Sequence, residues 1–138
     1  LELEVTEGVF LDDSNRTLDI LGRLRSLGVG IALDDFGTGY SSIGYLNKAV
    51  FHKLKIDGSF VREAGTRPGN VAIIQSIVQL AKSFRMSVTA EGVETAEDFE
   101  RMRELGCDTI QGYLFGKPLS YDRANQMVLG LGAKKMAG

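Results

Sequence analysis

Residues Leu1 to Val5 alternate apolar and acidic side chains, the period-two pattern of a strand with one buried face, so a first strand is expected from the first residue onward. Ser14 suits the N-cap of a helix whose Leu18, Leu21, Leu24 and Leu27 recur at three-residue spacing, and Gly28 suits its C-terminal stop. A second strand is expected over Val29 to Leu33. The glycines and hydroxyls of Phe36-Gly37-Thr38-Gly39-Tyr40-Ser41-Ser42 predict a loop leading to a short helix near Ile43 to Asn47. The third strand is placed at Lys53 to Ile56, and Gly65, Pro68 and Gly69 mark a loop before a helix over residues 70–84. There Val71, Ile74, Val78 and Ala81 lie beside Ile73, Ile77, Leu80 and Phe84 in a wide apolar stripe, which predicts a largely buried helix. Ser87 to Ala90 form the fourth strand, and Thr95 with Asp98 resembles a capping box opening a helix that ends at Gly106. A fifth strand runs from Thr109 to about Tyr113. A last helix, from about Arg123 to Leu129, precedes a Gly-, Ala- and Lys-rich tail over residues 130–138 that is expected to be disordered.

Short strands alternating with helices predict an α/β fold of parallel βαβ units with right-handed crossovers, filling one domain over residues 1–129. Arg23 to Gly28 and Arg101 to Gly106 look alike, each ending a helix before a strand, as repeated βα units of a barrel would. A chain that starts inside a strand, with no residues to fray before it, is expected to have been cut from something longer.

Composition narrows the function more than the fold. With 138 residues, 43% apolar and 25% charged, the chain holds one ordinary globular domain at most. A net charge of −2, from 16 basic and 18 acidic residues, leaves no footprint for a DNA or RNA polymer or for an anionic membrane. A small anionic ligand is still compatible, because a bound metal ion supplies positive charge that no residue count records. Cys107 is the only cysteine, which excludes a disulfide framework and a Cys-based zinc site within one chain and points to a reducing, cytoplasmic compartment. Its place between a helix and a strand predicts a buried, unreactive thiol. His52, equally alone, reads as a loop or strand-start residue rather than a metal ligand. No apolar run approaches the roughly 20 residues of a membrane helix, and the acidic N-terminus lacks the regions of a signal peptide, so no membrane contact by this segment is expected.

The polar residues that matter fall at the C-terminal ends of the predicted strands. Glu4 with Glu7, Asp34 with Asp35, Lys55 with Asp57, Glu91 with Glu94, and Gln111 follow strands one to five in turn. In a (β/α)₈ barrel such ends converge on the one mouth where active sites are built. Charged residues after strands are commonly solvated loop residues or helix caps, and Glu7, Asp57 or Glu94 taken singly fits that description. Five successive strand ends together point to a shared site. Carboxylates crowded in one mouth repel one another unless cations bind between them. Oxygen ligands without His or Cys suit Mg²⁺ or Mn²⁺ rather than Zn²⁺, and the adjacent Asp34 and Asp35 suggest two ions about 4 Å apart. Lys55 would then stand near a transferring phosphate, steadying the transition state or helping proton transfer.

The strings Glu4-Val5-Thr6-Glu7, Asp34-Asp35-Phe36-Gly37-Thr38-Gly39-Tyr40-Ser41-Ser42, Leu54-Lys55-Ile56-Asp57, Ala90-Glu91-Gly92-Val93-Glu94 and Gln111-Gly112-Tyr113-Leu114-Phe115 resemble, in order, the later motifs of the EAL domain. The resemblance covers the chain to about Val128. It implies an incomplete TIM-type (β/α) barrel of about five βα units, whose parent domain hydrolyses cyclic di-GMP to linear pGpG with two Mg²⁺ or Mn²⁺ ions. It further implies Glu4, Asp34, Asp35 and Glu91 as metal ligands, Lys55 beside the attacking water, and Gln111 as a residue that orders the same site, so that Lys55, Glu91 and Gln111 are the expected catalytic residues. Glu7 matches the glutamate that holds the loop containing Gly37, Thr38 and Gly39, with Asp57 and Glu94 in supporting positions. That loop is associated in the family with dimers, which implies a homodimer through the region from Phe36 to Leu46.

Two motifs of the resemblance lie outside this chain: the first-strand glutamate of the name motif and an asparagine ligand on a later strand. Set against a barrel of about 250 residues, roughly a hundred residues and three strands are missing. Gly58 after Leu54-Lys55-Ile56-Asp57, and Ala49-Val50 where a proline is common, are smaller departures. An open five-stranded sheet is expected to expose two edges and an uncovered apolar interior, favouring association with a second copy or a companion fragment. The chain by itself is expected to be inactive. Two other readings stand beside hydrolysis: a non-catalytic cyclic di-GMP receptor or dimerisation module, and another divalent-metal barrel enzyme, which spacing supports but the five motifs do not.

Overall fold

Five short β-rich segments pair side by side in chain order in the computed structural model, which describes residues 1–10, 14–37, 43–48 and 51–136. The strands are β1 (Glu2–Thr6), β2 (Gly30–Phe36), β3 (Lys53–Ile56), β4 (Ser87–Ala90) and β5 (Thr109–Ile110), all parallel. Between and after them run the helices α1 (Ser14–Ser26), α2 (Gly58–Glu63), α3 (Pro68–Ser83), α4 (Ala96–Glu104) and α5 (Tyr121–Met136). Glu4 stands opposite Ala32, Ala32 opposite Lys53, and Lys55 opposite Thr89.

Side chains alternate across a strand, and here the alternation separates two chemistries. Ile31, Leu33, Leu54, Ile56, Val88 and Ala90 form one core with Leu18 and Leu21 of α1 and with Ile74, Ile77, Val78 and Ala81 of α3. The opposite phase of the strands carries Glu2, Glu4, Lys53, Lys55 and Thr89. The expected uncovered apolar interior is therefore corrected: this face of the sheet is largely polar, because the side chains that turn away from the helices are mostly acids, lysines, Ser87 and Thr89, with the small Ala32 between Glu4 and Lys53.

The two look-alike helix ends are alike in three dimensions. The amide of Gly28 donates to the Arg25 carbonyl and that of Val29 to the Leu24 carbonyl, and Gly106 with Arg103 and Cys107 with Met102 repeat the pair. Both glycines adopt left-handed φ values, 87° and 89°, as this type of C-cap requires. Leu27, placed on the buried stripe by its spacing, lies in the turn beyond α1 and is 79% exposed.

Other differences have local causes. β2 extends through Asp34 and Asp35 to Phe36, with a register shift between Leu33 and Phe36, so the acidic pair sits inside the strand rather than after it. The short helix α2 has no periodic signature and opens on a glycine, a poor helix former; the Asp57 carboxylate caps it by accepting from the Ser59 amide at 2.9 Å. α3 starts at Pro68, a residue suited to a first helical turn, and is only half buried. Ile73 is exposed, and a shallow apolar groove of about 440 Å³ lies between Phe36, Gly37 and the Ile73, Ile77 and Leu80 side of α3. β5 is two residues long, and α5 runs from Tyr121 to Met136. Gly130 and Gly132 each weaken that helix by only about 1 kcal/mol, and the Ala, Lys and Met that follow are strong helix formers.

His52 stands at the opposite end of the sheet from the acidic pair. Its Nδ1 lies 2.8 Å from the Ile31 carbonyl oxygen and its Nε2 2.9 Å from Glu2, whose carboxylate Lys53 also holds at 2.7 Å. Burial, with Asp108 nearby, pushes the Cys107 thiol up to about 11, as expected of an unreactive cysteine. No described helix is long and apolar enough to cross a membrane. Much of the expected dimer region from Phe36 to Leu46, namely residues 38–42, lies outside the described residues, as do Ala49 and Val50.

Candidate metal centre

Lys55 sits one residue before the end of β3 on the polar face and is only 5% exposed. Three strand positions deliver carboxylates to its ammonium. Glu4 Oε1 of β1 lies 2.7 Å from Nζ, Asp34 Oδ2 of β2 lies 3.4 Å away, and Glu91 Oε1, just past β4, lies 2.8 Å away. Asp34, Asp35 and Glu91 each place a carboxylate oxygen within 4.8 Å of the others. Glu4 joins this set through Lys55.

Consecutive residues of a regular strand point to opposite faces, so Asp34 and Asp35 meet Glu91 together only because the strand is irregular there. The register shift and a left-handed Asp35, φ 55°, supply that irregularity, a conformation that costs a non-glycine residue about 1–2 kcal/mol. The Asp35 amide donates to Asp34 Oδ1 at 2.9 Å, which fixes the pair.

The electrostatics are those of a site with surplus negative charge. Burial, followed by the charges of Asp34 and Asp57, pushes the Asp35 carboxyl up; burial, with Asp34 and Glu4, does the same to Glu91 against the opposing pull of Lys55. Burial alone would push Lys55 down, but hydrogen bonds to Glu4 and Glu91 and the charges of Glu91 and Asp34 reverse this and raise it above the ordinary lysine value. Among the described residues, three carboxylates contact the one ammonium and that of Asp35 lies beside Asp34 and Glu91, so that all the donors are oxygens and the acids outnumber the cation. Such a donor set fits a hard divalent cation.

The supporting residues divide. Glu7 Oε1 accepts from the Gly37 amide at 3.4 Å, and Gly37 is left-handed at φ 95°, so Glu7 braces the chain as it leaves β2. Thr38 and Gly39 lie outside the described residues. Asp57 caps α2, and its hydrogen bonds from the Ser59 hydroxyl and amide hold its carboxyl below the usual range. Gln111 is pinned through its backbone, donating to Ala90 at 2.9 Å and accepting from Val93 at 3.1 Å. With Glu91, Glu94, Tyr113 and Arg62 it lines a hollow of about 320 Å³ beside the acidic cluster. Arg62 carries no sequence signal, because α2 itself has none. Gly58 and Gly92 approach each other closely: a Cβ on Gly58 would lie 3.2 Å from the Gly92 Cα, and one on the left-handed Gly92 would lie 2.9 Å from the Gly58 Cα.

A family model described as the EAL domain matches residues 1–118. The chain belongs to the EAL domain family. Among its relatives, the cyclic di-GMP phosphodiesterase NbdA of Pseudomonas aeruginosa is 44% identical over 119 residues, which are 86% of this chain and 15% of that protein. The cyclic di-GMP phosphodiesterase RocR of the same organism is 43% identical over 116 residues, 84% of this chain and 30% of that protein. Among solved EAL structures, the PaMucR phosphodiesterase in its c-di-GMP complex superposes with a TM-score of 0.85 at 42% identity, covering 90% of this chain and 50% of that one. Klebsiella pneumoniae BlrP1, solved with manganese and cyclic di-GMP, gives a TM-score of 0.78 at 34% identity, covering 85% and 30%. This chain thus spans between about a seventh and half of the length of these relatives, and its five strands form an incomplete EAL barrel.

Proposed function

We propose that the EAL domain to which this chain contributes hydrolyses a phosphodiester bond of cyclic di-GMP to give linear pGpG, with two Mg²⁺ or Mn²⁺ ions held by Glu4, Asp34, Asp35 and Glu91. The observation that carries this is the meeting of carboxylates from β1, β2 and the end of β4 around Lys55 of β3, in a chain at least 43% identical to two named cyclic di-GMP phosphodiesterases. A bound pair of such ions supplies positive charge to the phosphoryl oxygens and to the attacking water. Lys55, among Glu4, Asp34 and Glu91, would steady the charge that grows on the phosphoryl group or help proton transfer. Gln111 orders the rim beside Glu91, and Glu7 acts indirectly, by holding the β2 exit through the Gly37 amide.

The direct test supplies cyclic di-GMP and Mn²⁺ to the full-length protein. Linear pGpG is expected, with turnover abolished by EDTA and restored by excess Mn²⁺ or Mg²⁺; the 138-residue chain, with its open sheet, is expected to turn over negligibly. Tight binding of cyclic di-GMP without product would make the domain a receptor, and turnover in EDTA would contradict the metal requirement.

A further inference from the structure

Lysine has three N–H donors and no acceptor, and the Lys55 ammonium faces three carboxylates: Glu4 at 2.7 Å, Glu91 at 2.8 Å and Asp34 at 3.4 Å. In this arrangement the ammonium is hydrogen-bonded to Glu4 and Glu91 and is held by the charge of Asp34. The oxygens it engages on Asp34 and Glu91 belong to the carboxylates that come within 4.8 Å of one another with Asp35. Its residue is 5% exposed and its partners come from three separate segments of the sheet, so the ammonium ties β1, β2 and β4 to β3 from within.

We propose that Lys55 is the resident counter-ion of the metal-free site and competes with a divalent ion for Glu4, Asp34 and Glu91. Filling the site obliges the ammonium to withdraw from at least one of these carboxylates, and the same withdrawal frees a donor for the substrate phosphate. Lys55 thus has two exclusive settings, one that holds the empty rim together and one that faces the ligand. The competition presupposes that the cluster is the metal site of the function proposed above. It adds that this lysine weakens metal affinity while stabilising the empty fold.

Mn²⁺ binding to the chain, followed by electron paramagnetic resonance, is compared between the natural protein and Lys55→Met. The variant is expected to bind Mn²⁺ at least about tenfold more tightly, since a like charge in contact with the site has gone. Its metal-free melting temperature is expected to fall by about 5 °C or more, since the carboxylates lose their partner. Weaker or unchanged Mn²⁺ affinity in Lys55→Met, with binding intact in the natural chain, overturns the competition alone. No Mn²⁺ binding by either protein overturns the metal site and the competition with it. Should Lys55→Met fail to fold, nitrogen-15 spectra of the lysine ammonium groups in the natural chain decide. A slowly exchanging Lys55 signal that moves as Mg²⁺ binds supports the proposal, and one that stays unchanged at Mg²⁺ saturation refutes it.

Discussion

Glu91→Gln is expected to lower kcat/KM for cyclic di-GMP hydrolysis by the complete domain by about a thousandfold or more, roughly 4 kcal/mol of transition-state stabilisation, while the metal-free fold melts at the same temperature or higher. The first half follows from position. Glu91 lies 2.8 Å from Lys55 and within 4.8 Å of carboxylate oxygens of Asp34 and Asp35, so its loss removes both a ligand and an anchor of the lysine. The second half follows from the sign of its shift. Burial, together with Asp34 and Glu4, raises the Glu91 pKa in spite of Lys55. An acid whose folded pKa exceeds its unfolded value destabilises the fold once ionised, and that cost disappears as pH falls through the folded value. At neutral pH the charge is therefore carried at the expense of stability, and glutamine relieves it. Hydrolysis assays with thermal melts in EDTA check both halves. Activity that survives, or a melting temperature that falls steeply, contradicts them.

Gly112→Ala is expected to be among the most destabilising single-methyl additions in the molecule. A Cβ at this position would stand 2.0 Å from the Val93 carbonyl oxygen and 2.3 Å from its nitrogen, both backbone atoms that cannot swing aside. Relief requires the end of β5 to leave the β4 exit, breaking the seam in which Val93 donates to Gln111, Leu114 donates to Val93 and Gln111 donates to Ala90. Overpacking of 1–3 kcal/mol and two or three lost hydrogen bonds make the loss about 3 kcal/mol or more, or about 10 °C in melting temperature. Gly69→Ala is the control: no atom of the described residues lies within 4 Å of its Cβ position, and in α3 it is expected to cost nothing. Equal melting temperatures for the two variants would refute the close approach. Because the seam also carries Glu91 and Gln111, any folded Gly112→Ala protein should show reduced turnover as well.

Much of the fold was legible because the strands are short, apolar and separated by helices with recognisable ends. β3 and β4 fall on the residues that their patterns mark, and Gly28 and Gly106 end helices by one and the same cap. Periodicity failed where conformation departs from regularity. Asp34 and Asp35 look like loop residues, yet they lie in a kinked stretch of β2, and it is the kink that turns two neighbouring carboxylates toward one place. Leu27 matched a helical spacing that had already ended, and α2 is too short to show any period.

At the site, residue type and strand-end position were enough to nominate the carboxylates and Lys55. They did not separate Glu4, Asp34 and Glu91, which contact the lysine, from Asp57, which caps a helix, or Glu7, which braces a loop. That division depends on where the backbone amides of Ser59 and Gly37 fall, which side-chain spacing does not encode. Arg62 and the Gly58–Gly92 approach were likewise beyond reach, since both depend on packing between segments distant in sequence.

Anomalous scattering from crystals of the chain soaked in Mn²⁺ bears most directly on the central claim. The expected result is manganese within about 2–2.5 Å of carboxylate oxygens from Asp34, Asp35 and Glu91. Manganese bound only elsewhere, or the same three carboxylates found on separate sides of the molecule, would contradict it.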